Sequence, residues 1–106
     1  EHANLKNHNN GNQLLNIAEV ECLTLKTVLD KHLNNKEIDV LDIDVEGFDL
    51  QVLQSNDWTR YQPKLILVED RNFREKPCSS EIYRYLTGKG YKFYAYNNIT
   101  LVMQLE

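Results

Sequence analysis

The stretch IDVLDIDVEGFDLQVL, residues 38–53, decides the fold because its residue pattern changes period within a few positions. From Leu41 to Glu46, aliphatic and acidic residues alternate, which places the carboxylates on one face of an extended strand and the aliphatic side chains on the other. Gly47 then supplies a turn, and residues 48–54 predict a short helix with Asp49 in its first turn. The stretch therefore predicts a strand, a turn and a helix in succession.

The remaining periodic segments extend this pattern into an α/β sheet. They predict helices at 25–34 and 80–88, a strand at 64–69 and two further strands within 91–104. KLILVE at 64–69 is nearly all aliphatic, which is typical of a parallel strand covered on both faces. Asn97-Asn98 favours positive φ at both positions of a two-residue hairpin turn. Short right-handed connections make 39–45 and 64–69 parallel neighbours, with the C-terminal hairpin as an antiparallel edge.

Acidic residues stand where the two parallel strands end. Asp44 and Glu46 lie at the tip of the first strand, and the second ends in Glu69-Asp70 followed by Arg71. In open α/β sheets, ligands bind beyond the carboxyl ends of the strands. Since rows of unpaired carboxylates are costly to bury, the acidic row is expected to lead into a site at this edge.

Other interpretations of the acidic row remain open. One alternative is that Asp44 only caps the next helix, whereas Asp42 is expected inside the fold, satisfied by a neighbouring donor and without a chemical role. An aspartyl-phosphate hydrolase would use Asp42 as nucleophile and Asp44 as acid/base, but no convincing set of downstream partners is present. The D-x-D-x-E-G pattern also resembles the start of a calcium loop, where Leu53 stands in place of the final glutamate.

Composition excludes several classes of function. The net charge of −4 and the absence of a long basic run argue against nucleic acid and against polybasic membrane attachment. No apolar run approaches the roughly 20 residues of a transmembrane helix. Cys22 and Cys78 are too few for a disulfide framework, which indicates reduced thiols in a cytoplasmic protein. His2, His8 and His32 lack the spacing of metal ligands, so no histidine metal site is predicted.

The ends of the chain carry a different signal from its middle. Residues 1–18 are rich in asparagine and predict a flexible lead-in, with a short edge strand at 18–22. Residues 19–104 form the expected domain, and Leu105-Glu106 resembles an expression-vector scar. Together with the first residue, Glu1, these features suggest an excised piece of a longer protein.

The segments LDIDVEGFDLQVLQSNDW and YQPKLILVED resemble the FkbM-type methyltransferases. LTLKTVLDKH before them and EIYRYLTGKGYKFYAY after them resemble the flanking elements of that family, so the resemblance covers residues 20–103. It implies a Rossmann-like fold and methyl transfer from S-adenosylmethionine to a hydroxyl of a sugar, glycan or related natural product. No glycine-rich loop follows a strand, although the family uses one to bind the cofactor. The resemblance therefore implies the C-terminal half of a catalytic domain, inactive by itself.

The resemblance also implies roles for the acids. Asp44 would orient the acceptor hydroxyl and take its proton, and Glu46 would shape the same pocket. Glu69, Asp70 and Arg71 would line the acceptor side. Converging carboxylates are suitable ligands for Mg²⁺, but no metal is adopted. The alternative from a different class is a non-catalytic half-domain that dimerises through an exposed sheet edge.

Overall fold

The computed structural model describes residues 2–8 and 14–106, with side chains from residue 16 onwards. Along the chain the elements are β1 (His2–His8), β2 (Leu14–Glu21), α1 (Leu25–His32), β3 (Val40–Ile43), α2 (Asp49–Gln54), β4 (Leu65–Glu69), α3 (Arg71–Glu75), a 3₁₀ turn (Pro77–Ser79), α4 (Glu81–Gly88), β5 (Tyr91–Asn97) and β6 (Thr100–Leu105).

Four strands form the main sheet in the order β3-β4-β6-β5. β3 and β4 are parallel, with Ile43 opposite Val68, whereas β6 is antiparallel to both β4 and β5. The predicted parallel pair and the predicted C-terminal hairpin are both confirmed. Because β3 and β4 run in the same direction, their carboxyl ends meet at one edge of the sheet.

Local signals in the sequence set the helix boundaries. Thr24 accepts a hydrogen bond from the Thr27 amide at 3.1 Å and begins α1, and Ser80 accepts one from the Tyr83 amide at 2.9 Å and begins α4. α1 ends before Asn34 and Asn35, whose φ angles of 50° and 65° break the helix. Every boundary of these two helices lies within two residues of the expected one.

The core lies against one face of the sheet. Its buried residues are Ile43, Leu53, Trp58, Ile66, Val68, Leu86, Tyr91, Leu101 and Met103. The two aromatic residues of this core that carry polar groups have partners, since the Trp58 indole donates to the Leu53 carbonyl at 3.0 Å and the Tyr91 hydroxyl to the Pro63 carbonyl at 2.7 Å. Burial raises the pKa of Tyr91 well above its ordinary value. This core sets the strands, and therefore their tips, in place.

The opposite face of the sheet corrects two expectations. Asp42 was expected inside the fold, but it is exposed, as is Val40, whose surface is 52% accessible. Leu65 and Leu67 are half-buried, so β4 is fully covered on only one face. The period of two explains the error for Asp42: it shares a face with Val40 and lies opposite the face of Ile43, which is the buried one.

The N-terminal segment also differs from expectation. β1 and β2 pair as an antiparallel two-stranded sheet, from His2 opposite Glu21 to Asn7 opposite Asn16. The sequence predicted a lead-in without regular structure and only a short strand at 18–22. Backbone groups pair whatever their side chains are, so polar composition alone does not exclude strands. Position 1 and positions 9–13, which belong to the same expected lead-in, lie outside the described residues.

Two connections are more ordered than predicted. The polar loop after β4 contains α3 and the 3₁₀ turn. The hairpin between β5 and β6 turns through Asn98 and Ile99 instead of Asn97 and Asn98, and only Asn98 has a positive φ, of 60°. That pattern is typical of a type II′ turn. Leu105, which the sequence grouped with Glu106 as a resemblance to a vector scar, is the last residue of β6 and pairs with Tyr91.

Two further observations bear on the expectations about the cysteines and about membrane-spanning helices. Cys22 and Cys78 are free and exposed. Across the described ranges, none of the helices has the length and apolar character needed to cross a membrane.

Candidate functional site

Three carboxylates converge at the carboxyl end of the parallel strands. Asp44 directly follows β3, Glu46 lies in the next turn, and Glu69 is the last residue of β4. One oxygen of each lies within 4.8 Å of an oxygen of the other two. Asp44 and Glu46 are exposed and Glu69 is half-buried. The strand order therefore brings together the acids that the sequence placed at the two strand tips.

The turn between β3 and α2 has an unusual backbone. Glu46 has a φ of 50° and Gly47 a φ of 94°, and the Phe48 amide closes the turn on the Val45 carbonyl at 3.4 Å. Two successive positive φ angles define a type I′ turn. Gly47 adopts this conformation without strain, whereas a residue with a Cβ does so at a cost of about 1–2 kcal/mol. Glu46 thus contributes its carboxylate to the cluster from a strained backbone conformation.

The start of α2 is organised by Asp49 and not by Asp44. The N-cap of α2 is Phe48, and its side chain makes no capping hydrogen bond. Asp49, only 5% exposed, accepts a hydrogen bond on Oδ1 from the Val45 amide at 3.4 Å. The interpretation of Asp44 as a helix cap is therefore wrong. The sequence assigned Asp49 only a favourable place in the first turn and missed its contact with the turn before it.

Asp70 and Arg71 occupy very different environments. The Asp70 carboxylate is 5% exposed and caps α3 by accepting from the Asn72 and Phe73 amides at 3.1 and 3.2 Å, and the Ser80 hydroxyl donates to its other oxygen. Arg71 is exposed, and its Nε lies 3.2 Å from Oε1 of Glu69. Both residues are at the predicted edge, and their part in substrate binding stays a prediction.

A cleft of about 520 Å³ opens beside the carboxylate cluster. Five acidic residues and one basic residue, Arg71, contribute to its lining; the acids are Glu46, Asp49, Glu69, Asp70 and Glu81. Asp44 lies next to the cleft through its cluster with Glu46 and Glu69. Because the single arginine is already ion-paired with Glu69, the cleft is electronegative.

The chemistry of the cluster suits hard cations and polar ligands. Each of the three carboxylates can offer one oxygen, the ligand that Mg²⁺ and Ca²⁺ take in proteins, although exposed acids also occur together without a cation. A cofactor loop is not recognisable among the described residues: Gly47 forms the turn after β3, and Gly88 and Gly90 end α4. Gly11, the remaining glycine, lies outside them.

A model of a known protein family matches most of this chain. The model for the methyltransferase FkbM domain matches residues 2–93, a range that contains both strand tips and the three converging carboxylates. Searches of curated proteins and of solved structures found no match. Since the matched range covers most of the sequence, this chain belongs to the FkbM methyltransferase domain family.

Proposed function

We propose that the protein containing this chain is an S-adenosylmethionine-dependent O-methyltransferase, and that its acceptor is a hydroxyl of a sugar, glycan or related natural product. Membership of the FkbM family supports methyl transfer. The observation that carries the site is the convergence of Asp44, Glu46 and Glu69 within 4.8 Å at the tips of two parallel strands. This edge is where open α/β sheets bind their ligands.

In the proposed reaction, the residues of this chain act on the acceptor hydroxyl. S-Adenosylmethionine would supply the methyl group from its sulfonium sulfur and would leave as the neutral thioether once the methyl–sulfur bond is broken. Asp44 accepts a hydrogen bond from the hydroxyl, orients its oxygen and takes its proton as the new C–O bond forms. General base catalysis of this kind contributes about 10²–10⁴-fold, and orientation of the reacting atoms adds to it. Glu46 shapes the same pocket, while Glu69, Asp70 and Arg71 line the acceptor side.

The described residues do not include a recognisable binding site for S-adenosylmethionine. No glycine-rich loop follows a strand in them, so no contact to S-adenosylmethionine is assigned to any residue here. We place that loop in a segment of the protein outside this chain. The sheet supports this proposal because β3 pairs only with β4 within the described residues, leaving its other edge available to a preceding strand. The chain would then be the C-terminal half of a Rossmann-like sheet and inactive alone.

The charge of the cleft bears on the acceptor. Five acids outnumber the single, ion-paired arginine, and this excess of negative charge repels phosphate and carboxylate groups while it is compatible with neutral hydroxylated rings or with cationic amines. Carboxylate oxygens also accept hydrogen bonds from several sugar hydroxyls at once. A neutral or amino-substituted acceptor is therefore preferred to a phosphorylated one.

The test of the proposal is Asp44→Asn in the methyltransferase that contains this chain. Asn keeps the size and one acceptor oxygen but takes no proton, so turnover should fall by about 10²-fold or more. Binding of S-adenosylmethionine, measured by calorimetry, should remain. Asp42→Asn is the matched control, since Asp42 is exposed in β3, two residues before Asp44, and its substitution should leave turnover unchanged. Wild-type turnover in Asp44→Asn would remove Asp44 from the mechanism.

A second candidate function is non-catalytic association through the sheet edge. Val40, on the edge strand β3, is 52% exposed, and a second copy pairing there would form a homodimer. Size-exclusion chromatography with light scattering separates the two candidates, because a stable dimer without methyl transfer favours association. The hydrolase alternative, with Asp42 and Asp44 as its acids, receives no support from the family match.

A further inference from the structure

We infer that Asp49 is a positioning residue that holds Asp44 and Glu46 in place for the proposed methyl transfer. This inference rests on the proposed function and names a residue that the mechanism above does not use. Asp49 is 5% exposed, lines the cleft, and accepts the Val45 amide hydrogen on Oδ1 at 3.4 Å. Val45 stands between the two carboxylate-bearing residues.

The position of Val45 gives this single hydrogen bond its effect. A peptide plane moves as a unit, so fixing the Val45 amide fixes the link from Asp44 into the turn. Glu46 follows with a φ of 50°, a conformation that persists only where the surroundings impose it. Asp49, at the first position of α2, is anchored by the helix that follows. It thereby connects a rigid element to a strained turn.

The repulsion within the cluster explains why such an anchor is needed. Asp44, Glu46 and Glu69 bring three like charges within 4.8 Å of one another, and like charges at this range push apart. Asp49 is not one of the three converging side chains, and its carboxylate is buried where theirs are exposed or half-exposed. Without its hydrogen bond the turn is free to relax, which separates Asp44 from Glu69. A displacement of about 1 Å in a reacting group costs on the order of 10²-fold in rate.

Two substitutions separate positioning from charge. Asp49→Asn keeps an acceptor oxygen at the same distance from the backbone and removes the charge, whereas Asp49→Glu keeps the charge and moves the oxygens outward by one methylene. In the methyltransferase that contains this chain, we expect Asp49→Asn to retain kcat within about threefold and Asp49→Glu to lower kcat by about 10-fold to 10²-fold. KM for S-adenosylmethionine should stay unchanged in both. The reverse order, with Asn impaired and Glu active, overturns the inference.

A control variant excludes a merely structural role. Thr24→Ala removes the N-cap of α1, which lies away from the cleft, and lowers stability through a lost backbone hydrogen bond of the same kind. Its kcat, measured well below its Tm, should equal that of the wild type. If Thr24→Ala and Asp49→Glu lose the same kcat for the same loss of Tm, Asp49 only supports the fold and the inference fails.

The hydrogen bond can also be followed without any activity. In ¹⁵N-labelled chain, the Val45 amide proton should stay hydrogen-bonded in Asp49→Asn and resonate downfield of its position in Asp49→Glu, where the hydrogen bond is lost. This readout distinguishes the two failures. If the longer protein that is proposed to contain this chain transfers no methyl group while the Val45 shifts are as expected, the proposed methyl transfer fails and the anchor stands, whereas unchanged Val45 shifts in Asp49→Glu remove the anchor itself.

Discussion

Replacing Glu46 by glycine should stabilise the protein, although glycine usually destabilises. Glu46 holds a φ of 50°, in the left-handed region where a Cβ costs about 1–2 kcal/mol. Glycine adopts this conformation freely, but it also gives the unfolded chain more freedom, which costs about 0.4–1 kcal/mol. The difference leaves a net gain of about 0.5–1 kcal/mol in the free energy of unfolding. At about 4–8 °C per kcal/mol for a domain of this size, Tm should rise by about 2–8 °C.

Glu46→Ala is the control that isolates the backbone. Both substitutions remove one of three carboxylates that lie within 4.8 Å of one another, so both relieve the same repulsion. Only glycine also relieves the strain at φ 50°. In a helix or strand interior, alanine is the more stable of the two by about 0.5–1 kcal/mol. Here the order should be reversed.

Urea denaturation measures the comparison directly. The midpoint of Glu46→Gly should exceed that of Glu46→Ala at an unchanged m-value, which shows that stability and not compactness has changed. An alanine variant as stable as the glycine variant, or more stable, would refute the argument that position 46 is strained. In the proposed full-length methyltransferase, both variants should lose turnover, as expected where a strained residue serves the reaction.

Four further outcomes are expected. Calorimetry with this chain alone should detect no binding of S-adenosylmethionine, and a micromolar Kd would show that the missing glycine loop is not needed. Ser80→Ala should lower the free energy of unfolding in urea by roughly 2–3 kcal/mol, because it removes the cap of α4 and a buried partner of Asp70; the exposed cap Thr24→Ala should cost only about 1 kcal/mol, and equal losses would contradict the buried role. The hydrogen bond from Lys26 holds the pKa of Asp30 below its usual 3.8, so Asp30 contributes stability above that value and loses it as pH falls through the lowered pKa. Asp30→Asn should therefore weaken the pH dependence of Tm below about pH 4, and an unchanged acid limb would show that the pair contributes nothing. Methylation of a neutral acceptor should exceed that of its phosphorylated analogue, and equal rates would refute the argument from the charge of the cleft.

The parts of the fold that the sequence predicted are those with a strong local signal. The change of period at Val45 and the turn at Gly47 locate β3, its tip and α2. The caps Thr24 and Ser80 begin two helices as expected. Because the two strands were correctly placed as parallel neighbours, the convergence of the strand-tip acids followed from topology alone.

The parts that were missed depend on contacts distant in sequence or on backbone geometry. α3 has only five residues, too short to form by propensity, and it depends on the capping carboxylate of Asp70. Asp42 was placed inside because both faces of the sheet were assumed to be covered. The role of Asp49 follows from the exact course of the turn before it, which composition does not encode. β1 and β2 pair through backbone groups that every residue carries.

The register shift in β5 makes the two edges of the sheet unequal. Between Phe93 and Ala95 the pairing with β6 is interrupted, and such a bulge twists an edge strand and breaks its row of backbone donors and acceptors. This keeps further strands from adding to β5. β3, at the opposite edge, pairs with β4 from Val40 to Ile43 without interruption. A strand that extends this sheet would therefore be expected to pair with β3, and its end would lie near Asp44, which directly follows β3.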